Sequence, residues 1–344
     1  MIEQKKVECP DCDALGRRDF LAVMGGTAVT LAGLELAPKI AVAQGTTATQ
    51  PAPRAARPAE ALIRELYESL TEQQRTRVVL PFDHRVGNSQ TPARLGMYNS
   101  SLNANNIGAV YTPAQKELNE RILRSISADE EGYRRVTRNG TYDNSRTFDN
   151  CGAHIFGNPL NNQQFAWVFT GHHLTVRCDG NSMPNTGFGG PMYYGHSTDG
   201  MSARNVWFFQ TRSVLSLWDA LSEEQRRQAT MAMDPQEQAA SVRHRPAPYP
   251  GLRSGDMTAD QKTLCQNVMR DLLAPFRRED GDEVMDLVRR NGGMDGIHFG
   301  FYRDANTPEG RWKFWRLEGP GFVWNYRIHD HVHCFVNIAV PPRA

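Results

Sequence analysis

No apolar run in this sequence reaches membrane-spanning length: the stretch from Leu21 to about Leu34 holds about 14 residues, against the ~18 to 20 that a bilayer demands. Charge is nearly balanced, with 39 Lys and Arg against 38 Asp and Glu. The basic excess that nucleic-acid or anionic-membrane binding requires is therefore absent. No H-E-x-x-H, G-x-S-x-G, phosphate-loop or dinucleotide pattern occurs, so no nucleotide or flavin cofactor is expected. Beyond residue 43 only four cysteines remain, Cys151, Cys178, Cys265 and Cys334, too widely spaced for a zinc ribbon.

The N-terminal stretch reads as an address. Arg17-Arg18 precedes the weakly apolar run, which Gly25-Gly26 and Gly33 dilute, and Ala41-Val42-Ala43 follows it. Paired arginines, a short apolar segment and an A-x-A site form the pattern of a twin-arginine export signal, with removal expected after Ala43. Residues 1–43 are thus read as a signal peptide, and Cys9-Pro10-Asp11-Cys12 is discarded with them. Residues 44–59, rich in Pro, Ala, Thr and Gln, read as a disordered linker, and residues 60–344 as a single domain. This route implies the translocase as a transient partner, a periplasmic or extracellular destination, and a mature chain without a membrane span. It permits one or two disulfides, or free buried thiols in a chain that folds before export.

From Ala59 onward Leu62, Ile63, Leu66 and Leu70 predict a helix. Four capping boxes, in which Ser or Thr and a Gln three residues later each satisfy a free backbone amide, mark helix starts at Thr71, Thr112, Ser222 and Thr258. Their spacing is too uneven for a solenoid, and they are read as helix starts alone. Strands are expected near 151–156, 164–178 and 204–212, with Gly187-Phe188-Gly189-Gly190-Pro191 as a tight connection between the last two. Helices are expected at 112–127, 213–232, 259–274 and near 282–290. The C-terminus reads as four more strands, 296–302, 312–317, 322–328 and 331–340. Blocks of helices alternating with strands joined by hairpin-length turns predict an α+β fold built on an antiparallel sheet.

Five of the ten histidines fall in two short segments, Gly171-His172-His173-Leu174 and His329-Asp330-His331-Val332-His333, each beside residues that favour strands. On a strand, residues i and i+2 share a face, so His331 and His333 would present two imidazoles together, the usual way for a strand to offer two metal ligands. His172 and His173 would point to opposite faces of a regular strand, and at most one should reach such a site unless Gly171 introduces a bulge. Two imidazoles from one strand and a third from another, with an open position, suit zinc, copper or iron. Trp312, Trp315 and Trp324 would serve either sheet packing or an aromatic platform.

Phe169-Thr170-Gly171-His172-His173-Leu174-Thr175-Val176 resembles the GHHL core of the bacterial and fungal family known as domain of unknown function 3500. Ile155-Phe156-Gly157-Asn158-Pro159, Gly319-Pro320 and His331-Val332-His333 extend the similarity from about Ala59 to the C-terminus. The resemblance implies that the two histidine segments form one site and brings no reaction with it. Asn325 and Val336-Asn337 depart from the acidic residues that the family pattern carries at those places. The resulting expectation is an exported metalloenzyme, hydrolytic in slight preference to oxidative, with either His172 or His173, together with His331 and His333, as metal ligands and His329 or Asp330 orienting them. Its rival is a non-catalytic protein that binds a small molecule or a metal.

Overall fold

The computed structural model describes residues 58–87, 89–200, 202–232, 242, 248–303, 307, 312–328 and 331–340. The expected signal peptide, most of the linker, His329 and Asp330 lie outside the described residues. Among the described residues the helices are α1 (Pro58–Ser69), α2 (Glu72–Val78), the single turn α3 (Ile107–Val110), α4 (Pro113–Ile126), α5 (Glu130–Val136), α6 (Phe208–Ala220), α7 (Glu223–Ala229), α8 (Ala259–Leu273) and α9 (Arg278–Arg290). The strands are β1 (Val79–Leu80), β2 (Gly152–Gly157), β3 (Phe165–Gly171), β4 (Leu174–Cys178), β5 (Met192–His196), β6 (Thr230–Met231), β7 (Leu252–Arg253), β8 (His298–Tyr302), β9 (Phe314–Gly319), β10 (Phe322–Arg327) and β11 (Val332–Ile338).

All eleven strands join one sheet, ordered β1-β2-β3-β4-β5-β11-β10-β9-β8-β6 with β7 beside β8. The sheet is mostly antiparallel, as expected, but mixed: the short edge strands β1 and β6 pair in parallel with β2 and β8. Alternation gives the sheet two different faces. Ile155, Trp167, Phe169, Val176, Tyr194, Trp324 and Cys334 share one core with helical residues such as Ile63, Leu123, Val214 and Val268. On the opposite face Phe156 and Val168 pack under Ala93 and Leu102, while Tyr193, Val323 and Phe335 pack on Met97. Helices cover one face, then, and the irregular chain around residues 93–102 covers part of the other. Trp312, Trp315 and Trp324 are buried in the helical core, so sheet packing rather than an aromatic platform accounts for them.

The four capping boxes form as read, each worth about 1 kcal/mol. They also do more than start helices. Gln74 and Gln115 exchange amide hydrogen bonds (2.7 and 3.1 Å) and donate to the carbonyls of Val110 and Ser69. Gln225 and Gln261 repeat the arrangement, exchanging bonds of 3.0 and 2.8 Å and donating to Asp256 and Ala220. The repeat extends across the fold, because the strand order is the same read outward from β5 and from β11. Trp167 lies opposite Cys178 and Gly171 opposite Leu174, as Trp315 lies opposite Tyr326 and Gly319 opposite Phe322. Residues 58–196 and 208–338 are thus two copies of one arrangement meeting along β5 and β11, a repeat that the uneven box spacing concealed.

Two sequence expectations fail locally. Residues 204–212 were expected as a strand because Val206, Trp207, Phe208 and Phe209 favour one, yet α6 begins at Phe208. Thr211, Val214, Leu215 and Trp218 recur at helical spacing on its buried side, and that packing overrides local propensity. The expected strand at 164–178 is instead the hairpin of β3 and β4, and the Gly-rich connection leads into β5, which was not foreseen. Cys151, Cys178, Cys265 and Cys334 are free and buried. Burial pushes the first three thiols up to about 12. Among the described residues no helix is long and apolar enough to cross a membrane.

Candidate metal centre

The β3–β4 hairpin closes with Gly171 opposite Leu174, leaving His172 and His173 as its two-residue turn. His173 takes a left-handed backbone (φ 50°), which a side chain adopts at a cost of about 1 kcal/mol or more. The pair lies in a turn rather than on a regular strand, and of the two only His173 is grouped with His331 and His333. Both rings reach the same carboxylate: Asp143 Oδ2 lies 3.0 Å from His172 Nδ1 and 2.6 Å from His173 Nδ1.

Asp143 sits in the turn after α5, itself left-handed (φ 52°), with its side chain fully buried. Ser197 Oγ donates to Oδ1 at 2.8 Å, and His196 Nδ1 stands 3.5 Å from the same oxygen. Burial alone would raise the Asp143 pKa, but hydrogen bonds from His172, His173 and His196 outweigh it and hold the carboxyl well below the usual range. Arg138, also buried, donates to the His172 carbonyl at 2.6 Å and to the Val136 carbonyl, which fixes the turn over the carboxylate.

The second segment comes from β11 and the residue before it. His333 pairs with Gly195 of β5, so β5 alone separates it from the hairpin turn. Gly195 is the gap through which the rings meet. A Cβ there would stand 3.3 Å from His173 Cβ and 3.1 Å from His333 Cδ2, and would press on the Val332 carbonyl. With that space open, the His173 ring centroid lies 4.9 Å from His331 and 4.6 Å from His333. One nitrogen from each of His173, His331 and His333 lies within 4.8 Å of the others, and all three residues are buried.

Burial lowers His173 to about 4 against the pull of Asp143. It lowers His331 to about 2, helped by Arg327 and the neighbouring imidazoles, and His333 well below its ordinary value. At neutral pH all three are uncharged and present lone pairs. His331 Nε2 and His333 Nε2 stand 2.9 Å apart, and Arg327 Nη2 lies 2.8 and 2.9 Å from them, a three-way contact whose donors the imidazole tautomers set.

The structure therefore brings His173, His331 and His333 together, with His172 joined through Asp143 in a second grouping of Asp143, His172 and His173. His329 and Asp330 lie outside the described residues. Sequence reasoning missed Asp143, Gly195 and Arg327. Nothing in the spacing of Asp143 marks it, whereas Arg327 was accessible: pairing the two last expected strands as a hairpin sets it opposite His333. The donor set fits a divalent transition metal: three neutral imidazoles converge, and His173 has its far nitrogen on a buried carboxylate, the usual support of a ligating histidine.

A family model described as "Protein of unknown function (DUF3500)" matches residues 53–340. No curated protein and no solved structure matches the chain.

Proposed function

The chain belongs to the DUF3500 family, and on that premise we propose that it is an exported metalloenzyme, hydrolytic in preference to oxidative, acting on a small molecule. His173, His331 and His333 hold the ion, and Asp143 orients His173 and His172. One observation carries the reading: three buried, uncharged imidazoles from two distant segments converge on one point, with a buried carboxylate behind one of them. When bound, a divalent ion supplies Lewis acidity for hydrolysis, while copper or iron would supply redox chemistry instead. The residues of the chain contribute binding and orientation: Asp143 fixes the tautomer of His173 by accepting from Nδ1, and Arg138 holds the turn carbonyl.

Export rests on Arg17-Arg18, the short apolar run and Ala41-Val42-Ala43. The translocase is the partner on this route, and the mature chain begins at Gln44 in the periplasm or outside the cell. The near-complete burial of the three donors also favours a rival reading, a closed centre that holds a metal without catalysis.

The test is elemental analysis of protein recovered after native export, for the wild type and a His331→Ala/His333→Ala variant. Near-stoichiometric zinc, copper or iron that disappears in the variant is the expected result, with the N-terminus read at Gln44. A wild type that stays metal-free after incubation with each ion would sink the metal reading. A metal content that survives the double substitution would move the site elsewhere.

A further inference from the structure

The carboxylate behind His173 belongs to a donor set of its own. One ligand atom from each of Asp143, His172 and His173 lies within 4.8 Å of the others. Asp143 Oδ2 stands 3.0 Å from His172 Nδ1 and 2.6 Å from His173 Nδ1. Donor atoms about 2.0 to 2.2 Å from one ion lie roughly 3 to 3.4 Å from each other, so these contacts already have nearly the spacing of a coordination sphere. An ion there takes the place of the Nδ1 protons and needs no cavity beside them, only a wider contact between Asp143 and His173. On the other side of the carboxylate His196 is buried, and its Nδ1 stands 3.5 Å from Asp143 Oδ1 without a well-formed hydrogen bond. It is a nitrogen that the proton network around Asp143 leaves over.

The two donor sets differ in charge and in access. His173, His331 and His333 are buried and neutral, whereas the second set contains an ionised carboxylate and one partly open residue: the His172 side chain is 23 % exposed. Its geometry is fixed by the backbone. The His172 N–H donates to Ser145 Oγ at 2.8 Å and its carbonyl accepts from Arg138 at 2.6 Å, while the His173 N–H donates to Asn99 Oδ1 at 3.2 Å and its carbonyl accepts from Gly195 at 2.9 Å. With all four backbone groups of the turn tied, both rings are held in place before an ion arrives. Three protein ligands leave a coordination position open, and on the His172 side water can reach it. Buried Arg138 and a first ion both repel a second cation, so this position holds its ion less tightly than the closed one.

The geometry points to a second divalent cation at Asp143, His172 and His173, beside the one proposed above, with His173 shared between the two. An imidazole has two nitrogens, so His173 serves both ions at once, and its Nδ1 proton passes to solvent when the second ion enters. His172 keeps its proton by carrying it on Nε2. The inference rests on the metal reading above for the shared His173 and adds the exchangeable, water-accessible position that the three buried imidazoles lack. Purified protein retains the closed ion alone, and the second appears when cobalt(II) or zinc is supplied in excess.

The experiment is equilibrium dialysis of the full mature chain against excess cobalt(II), counting bound ions in wild type, His172→Ala, Asp143→Asn and His331→Ala/His333→Ala. Thermal melting establishes which variants are folded, and His172→Ala, whose ring is partly exposed, keeps the test open should Asp143→Asn fail to fold. Wild type is expected to bind two equivalents. His172→Ala and Asp143→Asn should each lose the second and keep the first, and the double variant should lose the first and keep the second. One equivalent in wild type that His172→Ala keeps and the double variant loses overturns this inference alone. Two equivalents in both wild type and His172→Ala overturn it too, because the second ion then sits elsewhere. One equivalent that His172→Ala loses and the double variant keeps overturns both readings, since the ion is then held without His331 and His333. Failure of wild type to bind cobalt overturns the metal reading and this inference with it.

Discussion

The two halves of the molecule carry the same hairpin turn and fill it differently. In the first half the turn is Gly171-His172-His173-Leu174, and in the second it is Gly319-Pro320-Gly321-Phe322. His173 and Gly321 both have a left-handed backbone, and both accept a hydrogen bond from the adjacent strand: Gly195 N–H donates to His173 at 2.9 Å and Ala339 N–H to Gly321 at 2.8 Å. The side chain has changed places. The first half puts it on the turn and leaves glycine on β5, whereas the second puts glycine on the turn and alanine just past the end of β11. The fold needs the turn but not the histidines. The strain at His173 is thus tied to the site, since glycine serves the same turn elsewhere at no steric cost.

The largest expected break between the halves comes with acid. His154 on β2 is buried with neither ring nitrogen hydrogen-bonded, and burial lowers it to about 4. Its counterpart beside Phe301 is Gly300, because Ile155 pairs with Trp167 as Phe301 pairs with Trp315. The folded value lies below the ordinary value of about 6.5, so the folded state binds fewer protons than the unfolded one between them. This contribution is fully present above about 6.5 and is lost as pH falls towards 4. Between pH 7 and pH 4.5, wild type should lose about 2 to 3 kcal/mol more stability than His154→Leu, measured by urea unfolding at both pH values. Equal losses would mean that His154 is hydrated or paired in solution.

The exchange of side chain and glycine predicts a coupled pair. Gly195→Ala should cost about 2 kcal/mol, because the new methyl meets His173, His333 and the Val332 carbonyl. In a His173→Gly background the same substitution recreates the pattern of the second half. It should there cost less by about 0.5 to 1 kcal/mol, the coupling expected of residues in contact. Unfolding free energies of the four chains give the cycle, and costs that add to within a few tenths would show that the two positions do not sense each other.

How much of this was legible in the sequence follows the same division. The capping boxes announce themselves because their chemistry is local, within four residues. The GHHL and H-x-H segments stand out because histidines are scarce and these are clustered. Asp143 does not, since a chain of acids in polar turns gives no reason to prefer one. Gly195 was hidden inside Met192-Tyr193-Tyr194-Gly195-His196, a strand masked by the Gly-rich stretch before it. The duplication was hidden because its halves keep turns and registers while changing residues: His173 and Gly321 share a positive φ at the same place in the turn and no chemistry. The run Val206-Trp207-Phe208-Phe209 misled for the opposite reason, as local β-propensity outvoted a helical spacing that only the packing of α6 makes decisive.

The smallest effect is expected where the halves are alike. Gln74 and Gln225 each close a capping box, bond the Gln of a second box and donate to a backbone carbonyl. Alanine at either position leaves a partner amide and a carbonyl to find water, and both glutamines are partly exposed, so the cost stays near 1 to 2 kcal/mol. The Gln225 bond to Asp256 is longer than the Gln74 bond to Val110, 3.5 against 2.8 Å, which places any difference in the direction of a larger loss for Gln74→Ala. Urea unfolding of the two variants should agree to within about 0.5 kcal/mol, and neither should change metal content, because no atom of either clamp touches the histidine cluster. A clamp variant that lost metal while remaining folded would join what the comparison separates, the scaffold repeated in both halves and the histidine cluster built where they meet.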